Sequence, residues 1–257
     1  MPHYPRPDGL RAILVDEKSI GKGHHYLTVV LNAETGEVLH LADGKKKSSL
    51  QGFFDKLTQK QKVSINAVGI DRAGAYKAVV EEEIPHAKIV YDKFHLIANY
   101  NTVIDKIRRE EWRSASKQDK TFIKGQRYNL FRNPENLKPE QELSLAKLLS
   151  MNENLNKAYV LKDALKVLWT YKYGKSASKY LDQWIFWAME TGIEAIDKFA
   201  RGLDKARDGI LAFCKHRITS VKIEAFNATI ARIVRRACGY RDLEYLYLKI
   251  RQEALET

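Results

Sequence analysis

The sequence predicts an α/β protein in which a mixed β-sheet is interrupted by a large all-helical insertion. Short segments rich in β-branched and aromatic residues dominate the first third of the 257 residues, whereas apolar residues recur three or four positions apart through the middle. No apolar run approaches the ~20 residues that a bilayer span needs, and the first residues lack the apolar stretch of a signal peptide. We therefore expect a cytoplasmic protein that does not bind membranes.

Three strands are predicted at the start of the chain. Residues 11–17, 26–32 and 37–41 read RAILVDE, YLTVVLN and EVLHL, and their β-branched residues are typical of strands. The segment 33–36 supplies turn residues with a glycine, as a tight antiparallel connection needs. The first three strands are therefore expected to form an antiparallel meander.

Helices and strands alternate after this meander. In order, the predicted elements are a helix at 48–57, a strand at 63–70, a helix at 76–83 and a strand at 88–91. The fourth strand ends in Asp71 and the fifth in Asp92. The resulting order, β-β-β-α-β-α-β, is that of an RNase H-like domain, which needs a mixed sheet with helices on its faces.

The middle of the chain is predicted to be all-helical. Helical spacing of apolar residues is found in segments 94–112, 139–149, 155–171 and 178–203. We therefore expect residues 1–95 to form the first part of the RNase H-like core, residues 96–207 a helical insertion, and residues 208–257 the C-terminal helices of the core.

The composition favours an anionic partner. A total of 44 Lys and Arg oppose 32 Asp and Glu, which leaves a net charge of +12. This balance favours anionic partners such as nucleic acid or a membrane surface, with solvated surface lysines as the alternative explanation. Cys214 and Cys238 have no second pair, so they fit neither a zinc ribbon nor a disulfide framework.

Three acidic residues lie where the predicted topology would bring them together. Asp16 lies in the first strand, Asp71 ends the fourth, and Glu224 lies in the late segment 222–227. Carboxylates are hard oxygen ligands for Mg²⁺ or Mn²⁺, and two such ions about 4 Å apart can activate a water or a 3′-hydroxyl and neutralise a phosphate. One such acid alone more often caps a loop. Together the three predict a two-metal site for phosphodiester chemistry.

Asp92 and His95 follow the fifth strand three positions apart and have two interpretations. His95 could contact a phosphate or orient a carboxylate, or Asp92 could cap a helix while His95 packs. A supporting or structural role is favoured for both, and Asp92 remains the alternative to Asp71 as the second catalytic acid. Asn227 shares a helix face with Glu224 and is assigned a supporting role beside it.

Basic residues near these acids are candidates for contacts with DNA phosphates. They are Lys22, His24, Arg232, Arg235, Arg236 and Arg241. The first two lie in a glycine-flanked turn after the first strand, and the others lie on or after the helix that carries Glu224. Phosphate contact and a solvated charged face are both open from the sequence.

Four short motifs carry a family resemblance. They are VDEKSI at 15–20 followed by Lys22-Gly23-His24, YDKFHL at 91–96, IEAFN at 223–227 and ACGYR at 237–241. In this order they resemble the DDE transposases of the bacterial ISL-three insertion-sequence family, and the resemblance extends over nearly the whole chain.

The resemblance implies a catalytic domain that cuts and joins DNA at transposon ends with Mg²⁺ or Mn²⁺. The matching positions make Asp16, Asp71 and Glu224 the catalytic and metal-binding triad. The implied partners are double-stranded DNA at the transposon ends and at the target, with a homo-oligomer on DNA left open. The expected location is the cytoplasm, in association with the nucleoid.

The family usually carries an N-terminal zinc-binding and helix-turn-helix region. The first predicted strand here starts at Arg11, so we expect this region to be missing. Two alternatives to an active transposase follow. One is an inactive truncated remnant that acts at most as a DNA-binding or dimerisation module, and the other is an RNase H-like nuclease that cleaves without joining.

Overall fold

The computed structural model describes residues 9–71 and 74–255 and divides into two compact units. The described residues up to Asp92 and from His216 onward form the first, which we name the sheet unit. Lys93–Lys215 form the second, which we name the helical unit. The sequence-based boundaries were at 95/96 and 207/208.

Five strands form the mixed sheet of the sheet unit. They are β1 (Ala12–Ser19), β2 (Tyr26–Asn32), β3 (Val38–Asp43), β4 (Ala67–Ile70) and β5 (Lys88–Tyr91). Their spatial order is β3-β2-β1-β4-β5, with antiparallel pairs β1–β2 and β2–β3 and parallel pairs β1–β4 and β4–β5. The predicted α/β class, with an antiparallel meander and parallel crossovers as in an RNase H-like domain, is confirmed.

The helices are numbered along the chain. Before the helical unit lie α1 (Lys47–Phe54), α2 (Gln59–Ser64) and α3 (Gly74–Glu83). Next come α4 (Lys93–Ser114), α5 (Lys117–Gly125), α6 (Arg127–Phe131), α7 (Pro139–Met151), α8 (Glu153–Val167), α9 (Gly174–Met189), α10 (Glu194–Lys205), α11 (Arg207–Leu211) and α12 (Phe213–His216). The last two are α13 (Val221–Arg236) and α14 (Leu243–Leu255). Within residues 9–71 and 74–255, no helix is both long enough and apolar enough to cross a membrane.

The two faces of the sheet carry different helices. Successive side chains of a strand point to opposite faces, and in β1 Asp16 accepts a hydrogen bond from Asn227 of α13 at 2.7 Å. The next residue, Glu17, pairs with Thr28 of β2, whose hydroxyl is 2.8 Å from the Tyr76 hydroxyl of α3. Helix α13 therefore covers the face that carries Asp16, and α3 covers the opposite face.

Two predicted elements differ from the structure. The fourth strand starts only at Ala67, because Val63 and Ser64 belong to helix α2. The Thr58 side chain accepts a hydrogen bond from the Gln61 backbone in a capping box, which stabilises the start of that helix. The single helix predicted at 178–203 is two helices, α9 and α10, separated by a turn in which Gly192 has φ +66°.

A glycine in β4 allows close packing on the face that carries Asp16. Gly69 pairs with Leu14 of β1, and a Cβ atom on Gly69 would lie 2.7 Å from Leu14 Cδ2 and 2.8 Å from Ile218 Cγ2. Ile218 lies just before α13. The missing side chain therefore lets the segment that leads into α13 approach the sheet.

A cluster of aromatic rings lies in the core of the helical unit. Tyr100 of α4 lies 5.9 Å from Trp184 of α9 and 4.9 Å from Phe199 of α10, both in edge-to-face geometry. Trp184 is fully buried and its indole N–H donates to the Leu161 carbonyl at 2.9 Å. These contacts join α4, α8, α9 and α10 into one core.

A buried lysine closes the end of a short helix in the same unit. Lys162 of α8 is fully buried, and its Nζ donates to the carbonyls of Leu130 at 2.6 Å and Arg132 at 3.1 Å. These carbonyls lie at the end of α6, where no intrahelical donor remains for them. Burial, with a contribution from the nearby Lys166, lowers the pKa of Lys162 to about 8.

We expect replacement of Gly69 by alanine to lower the free energy of unfolding by about 1–3 kcal/mol, because the added methyl group overfills a packed site. Urea unfolding followed by circular dichroism measures this change. Gly125→Ala is the matched control, because a Cβ there would meet nothing within 4 Å at the end of α5. Equal destabilisation of the two variants would contradict the packing explanation.

We expect the protein to become more stable as the pH rises from 7.5 to 9.5. The unfolded Lys162 holds its proton up to a pKa of 10.5, whereas the folded residue releases it near pH 8, so the unfolded state binds more protons between these values. The gain is about 2 kcal/mol, since one pKa unit corresponds to 1.36 kcal/mol.

Urea midpoints at the two pH values test this expectation. Lys162→Met should abolish the rise, and Lys157→Met should retain it, since Lys157 is a half-buried lysine of the same helix whose ammonium group pairs with Glu153. A rise of the same size in the Lys162→Met variant would assign the pH dependence to another group.

Candidate active site

Three aspartates lie at one level of the parallel part of the sheet. Val15 of β1 pairs with Ile70 of β4, and Ile70 pairs with Tyr91 of β5. The residues that follow these three are Asp16, Asp71 and Asp92. Because neighbouring strands lie about 4.8 Å apart, consecutive members of this row are neighbours across the sheet. We name this set the aspartate row.

Helix α13 is attached to the row through a polar residue in its buried face. Ile223, Ile230 and Ile233 are buried at helical spacing, and Asn227 lies in the same buried stripe at 8% exposure. The Asn227 Nδ2 donates to Asp16 Oδ2 at 2.7 Å, while Asp16 Oδ1 accepts from the Glu17 backbone at 2.8 Å. The burial of this carboxamide is therefore compensated by a charge-assisted hydrogen bond to β1.

A second connection joins the start of α13 to the other end of the row. The Ser220 backbone N–H donates to Asp92 Oδ1 at 3.2 Å, and the Ser220 hydroxyl donates to Glu224 Oε1 at 2.5 Å. Ser220 is 4% exposed and Asp92 is 7% exposed. One serine thus links Asp92 to Glu224, in the first turn of α13.

A third contact holds the outer side of this turn. Lys222 Nζ donates to the Glu34 carbonyl in the turn between β2 and β3. Helix α13 and the residue before it are therefore attached at three places in the sheet unit: to β1, to the residue after β5 and to the turn between β2 and β3.

The site also contains one polar atom without a hydrogen-bond partner in the described part of the chain. Asn227 Oδ1 is buried there without a donor, although the nitrogen of the same carboxamide is bonded to Asp16. A buried carbonyl oxygen of this kind can accept a hydrogen bond from water or bind a hard cation.

The Glu224 side chain is oriented toward Ser220 and not toward a shared metal position. Among residues 9–71 and 74–255, no three His, Cys, Asp or Glu side chains form a group that could hold a metal ion. Asp16, Asp71 and Glu224 thus belong to one unit, and each acid keeps its own interactions: Asp16 with Asn227, Glu224 with Ser220, and Asp71 half-buried after β4.

Glu17, the acid next to Asp16, is excluded from this face. It lies beside Thr28 on the opposite side of the sheet, where the Thr28 hydroxyl donates to the Gly44 carbonyl and accepts from Tyr76. Burial is the main reason that the pKa of Tyr76 rises to about 12, so the tyrosine keeps its proton at neutral pH. Of these two neighbouring acids, Asp16 alone is available to the site.

The six basic residues proposed for DNA contact are all exposed. Lys22 and His24 lie in the turn between β1 and β2, close in sequence to Asp16. At the end of α13, Arg236 pairs with Glu253 of α14 and Arg232 donates to Thr229 at 2.8 Å. Arg235 and Arg241 lie in the same region, at the end of α13 and in the turn after it.

The remaining supporting residues are distributed between the two units. Asp92 ends the first segment of the sheet unit, and His95 lies half-buried in α4 of the helical unit. Ser220 is not among the residues predicted from the sequence, although serine is a preferred N-cap residue and Ser220 is the N-cap residue of α13. Asn227 is predicted to support Glu224, whereas its carboxamide contacts Asp16.

Comparison with known proteins gives a consistent result. The family model of the ISL-three DDE transposases, described as "Transposase", matches residues 13–250. The transposase for insertion sequence element IS1001 of Bordetella parapertussis is 39% identical over 243 residues, which is 93% of this chain and 60% of that protein. The transposase for IS1557 of Mycobacterium tuberculosis is 31% identical over 260 residues, covering 92% of this chain and 58% of the relative.

This chain therefore spans about three fifths of the length of these relatives. The family match, in contrast, extends from the first residues of β1 into the last helix, and so includes the aspartate row, the helical unit and α13. By this match, the protein belongs to the ISL-three family of DDE transposases.

Proposed function

We propose that this protein cleaves DNA at the ends of an insertion sequence and joins those ends to target DNA. Membership of a transposase family supports the reaction class. The observation that carries the proposal is the parallel register of β1, β4 and β5, which gives Asp16 and Asp71 neighbouring positions beneath the helix that carries Glu224.

The donor set suits a hard divalent cation. Asp16, Asp71 and Glu224 offer carboxylate oxygens, and the unpartnered Asn227 Oδ1 adds a neutral oxygen beside them. When bound by the three carboxylates, a pair of Mg²⁺ or Mn²⁺ ions would supply the positive charge that activates a nucleophilic oxygen and neutralises the phosphate. The proposal requires Glu224 to turn away from Ser220, to which its carboxylate is now bonded.

The residues of the chain have separate tasks in this proposal. Asn227 fixes the rotamer of Asp16, because its N–H group occupies one carboxylate oxygen and the Glu17 backbone occupies the other. Ser220 and Asp92 hold the first turn of α13, so that Glu224 approaches the row from a fixed helix start. Asp92 is a positioning residue in this scheme.

The reaction consists of two transfers at phosphorus. In the first, a water oxygen attacks a phosphodiester at the transposon end, and the bond to the 3′ oxygen breaks to leave a 3′-hydroxyl and a 5′-phosphate. In the second, that 3′-hydroxyl attacks a target phosphodiester, which forms a new phosphodiester and releases a target 3′-hydroxyl. Holding nucleophile and phosphate in line is the main demand on the protein.

Double-stranded DNA is the partner in this proposal. The exposed cations at both edges of the site, in the turn between β1 and β2 and around the end of α13, would contact phosphates without reading the sequence. Arg235 and Arg241 are the strongest candidates among them, since Arg236 is already paired with Glu253. Assembly of several copies on DNA is part of the same proposal.

We expect Asp16→Asn, Asp71→Asn and Glu224→Gln each to lower cleavage and joining by about 10³-fold or more, because each removes charge stabilisation of several kcal/mol. The assay uses a duplex with the ends of the encoding insertion sequence, and a pre-cut duplex with a free 3′-hydroxyl tests joining separately. Activity should require Mg²⁺ or Mn²⁺ and be lost with EDTA.

Asp43→Asn is the matched control for these variants, because Asp43 is an exposed acid at the end of the outer strand β3. Full activity of the Asp16→Asn or Glu224→Gln variant would refute the proposal. Cleavage without joining would assign a nuclease, and metal-independent DNA binding without either reaction would assign a binding module.

Asp92 and Asp71 are distinguished by a conservative substitution. Asp92→Asn keeps the oxygen that accepts from Ser220, so we expect it to retain most activity, whereas Asp92→Ala should lose it. If Asp92→Asn were as inactive as Asp71→Asn, the negative charge of Asp92 would be needed and Asp92 would be a catalytic acid.

We expect Asn227→Asp to lower the free energy of unfolding by about 2 kcal/mol at pH 8 without metal, because two carboxylates would then replace a hydrogen-bonded pair. The loss should shrink toward pH 5, since repulsion raises the folded-state pKa and the folded state then binds more protons than the unfolded state. Added Mg²⁺ should also reduce the loss.

Urea unfolding with EDTA or Mg²⁺ measures both effects. Asn227→Leu is the control, because it loses the same hydrogen bond without adding a charge. A loss independent of pH and Mg²⁺ in the Asn227→Asp variant would show that residue 227 does not lie beside an ionised Asp16.

A further inference from the structure

The helical unit contains a groove whose cations exceed its acids. The groove has a volume of about 550 Å³ and is lined by one face of α4 and by α6. Its charged lining residues are Asp105, Lys106, Arg109, Glu110, Arg113 and Arg127. We name it the arginine groove. It lies wholly within the helical unit.

A single buried carboxylate serves three guanidinium groups at the base of this groove. Asp105 lies 2.8 Å from Arg108, 2.6 Å from Arg109 and 3.4 Å from Arg127. Burial opposes ionisation of Asp105, but the hydrogen bonds and charges of Arg108 and Arg109 outweigh it and keep its pKa below the usual value. This ionised carboxylate cannot neutralise three arginines, so positive charge remains.

The excess charge lies at the accessible surface. Side chains of Arg109 and Arg127 are 62% and 45% exposed, whereas Asp105 is 6% exposed. Arg127 is also oriented by the rings of Tyr128 and Phe131, at 5.7 and 5.5 Å. In the described residues no acid lies within ion-pair distance of Arg113. These guanidinium groups are available to an external anion.

The spacing of the cations favours an extended anion over a single one. Lys106, Arg109 and Arg113 follow each other along one face of α4, a distance of about 10 Å at 1.5 Å per residue. A DNA strand carries one phosphate per ~3.4 Å of helix axis, so a row of about 10 Å spans about three phosphate steps. Arginine binds phosphate oxygens in a bidentate manner.

We propose that the arginine groove binds the sugar-phosphate backbone of DNA. It would provide a contact surface on the helical unit, separate from the cations around the aspartate row. The choice of DNA as the polyanion rests on the proposed function, whereas the groove itself rests only on the charges and distances of α4 and α6. Because the contacts are to phosphates, this surface adds affinity without sequence preference.

The test is binding of a short labelled duplex DNA to the full chain, measured by fluorescence anisotropy at several salt concentrations with EDTA present. We expect Arg113→Gln to weaken binding about eight-fold at 0.1 M salt and to reduce the salt slope by about 0.9, the value for one lost phosphate contact. Arg201→Gln is the matched control, because it removes the same charge from an exposed position on α10 that does not line the groove.

A second variant, which is expected to strengthen DNA binding, makes the test independent of folding defects. Glu110→Gln removes an exposed acid from the groove and should strengthen DNA binding, whereas a damaged fold would weaken it. Equal effects of Arg113→Gln and Arg201→Gln, or no gain from Glu110→Gln, would overturn the proposal. If Arg113→Gln weakened binding of an RNA duplex but left binding of the DNA duplex unchanged, the assignment of the groove to DNA would be overturned.

The outcome is separable from that of the proposed function. Binding in EDTA does not depend on the three catalytic acids, and cleavage with Mg²⁺ does not require that this groove be the contact surface. If the unsubstituted protein cleaves DNA and the Arg113→Gln variant binds DNA normally, only the proposal for the arginine groove is refuted. If Arg113→Gln weakens DNA binding but the unsubstituted protein does not cleave DNA, only the proposed enzymatic function is refuted.

Discussion

The hydrogen bond between Asn227 and Asp16 joins two segments that are far apart in sequence, and the geometry of the candidate site depends on it. It connects β1, the central strand, to α13, the helix that carries Glu224. Without it, a buried carboxamide and a carboxylate would both lose a partner, which is costly in a low-dielectric environment. The isoleucines of α13 supply contact area, and this polar pair joins the helix to β1 by a hydrogen bond.

Parallel pairing supplies the other half of the arrangement. Antiparallel strands present opposite ends at one edge of a sheet, whereas β1, β4 and β5 run in the same direction and place consecutive acids side by side. Ser220 then uses its backbone and its hydroxyl to relate Asp92 to Glu224. The polar contacts between α13 and the strands are thus concentrated where the helix start meets the aspartate row.

In the helical unit, one acid also has several partners, since Asp105 forms ion pairs with three arginines.

Much of the fold follows from local sequence, and the exceptions have physical causes. The order of the strands along the chain could be predicted because β-branched runs and turn residues alternate clearly in the first 91 residues. Val63 was predicted to start the fourth strand because it is an apolar residue just before that strand. It belongs to α2 instead, because the capping box at Thr58 stabilises the start of that helix through side-chain hydrogen bonds. The break at Gly192 was missed because a glycine inside an apolar helical pattern is often tolerated.

The acids of the site could be chosen from the sequence, but their contacts could not. Helical periodicity places Asn227 on the face of Glu224, yet the partner of its carboxamide is on a strand 211 residues earlier. The bond between Ser220 and Asp92 spans 128 residues, and no periodic pattern encodes a contact of that separation. Side-chain orientation, such as that of Glu224 toward Ser220, depends on packing that only the folded chain provides.

The position of the helical unit within the chain has a consequence for synthesis. All five strands have been made once residue 91 leaves the ribosome, but Ser220 follows Asp92 only 128 residues later. At 5–20 residues per second, this interval lasts about 6–25 s. During that time the aspartate row exists without α13, so the nascent chain has neither the third acid nor the amide that orients the first. Insertion of the helical unit between the acids thus delays assembly of the candidate site until α13 has been made.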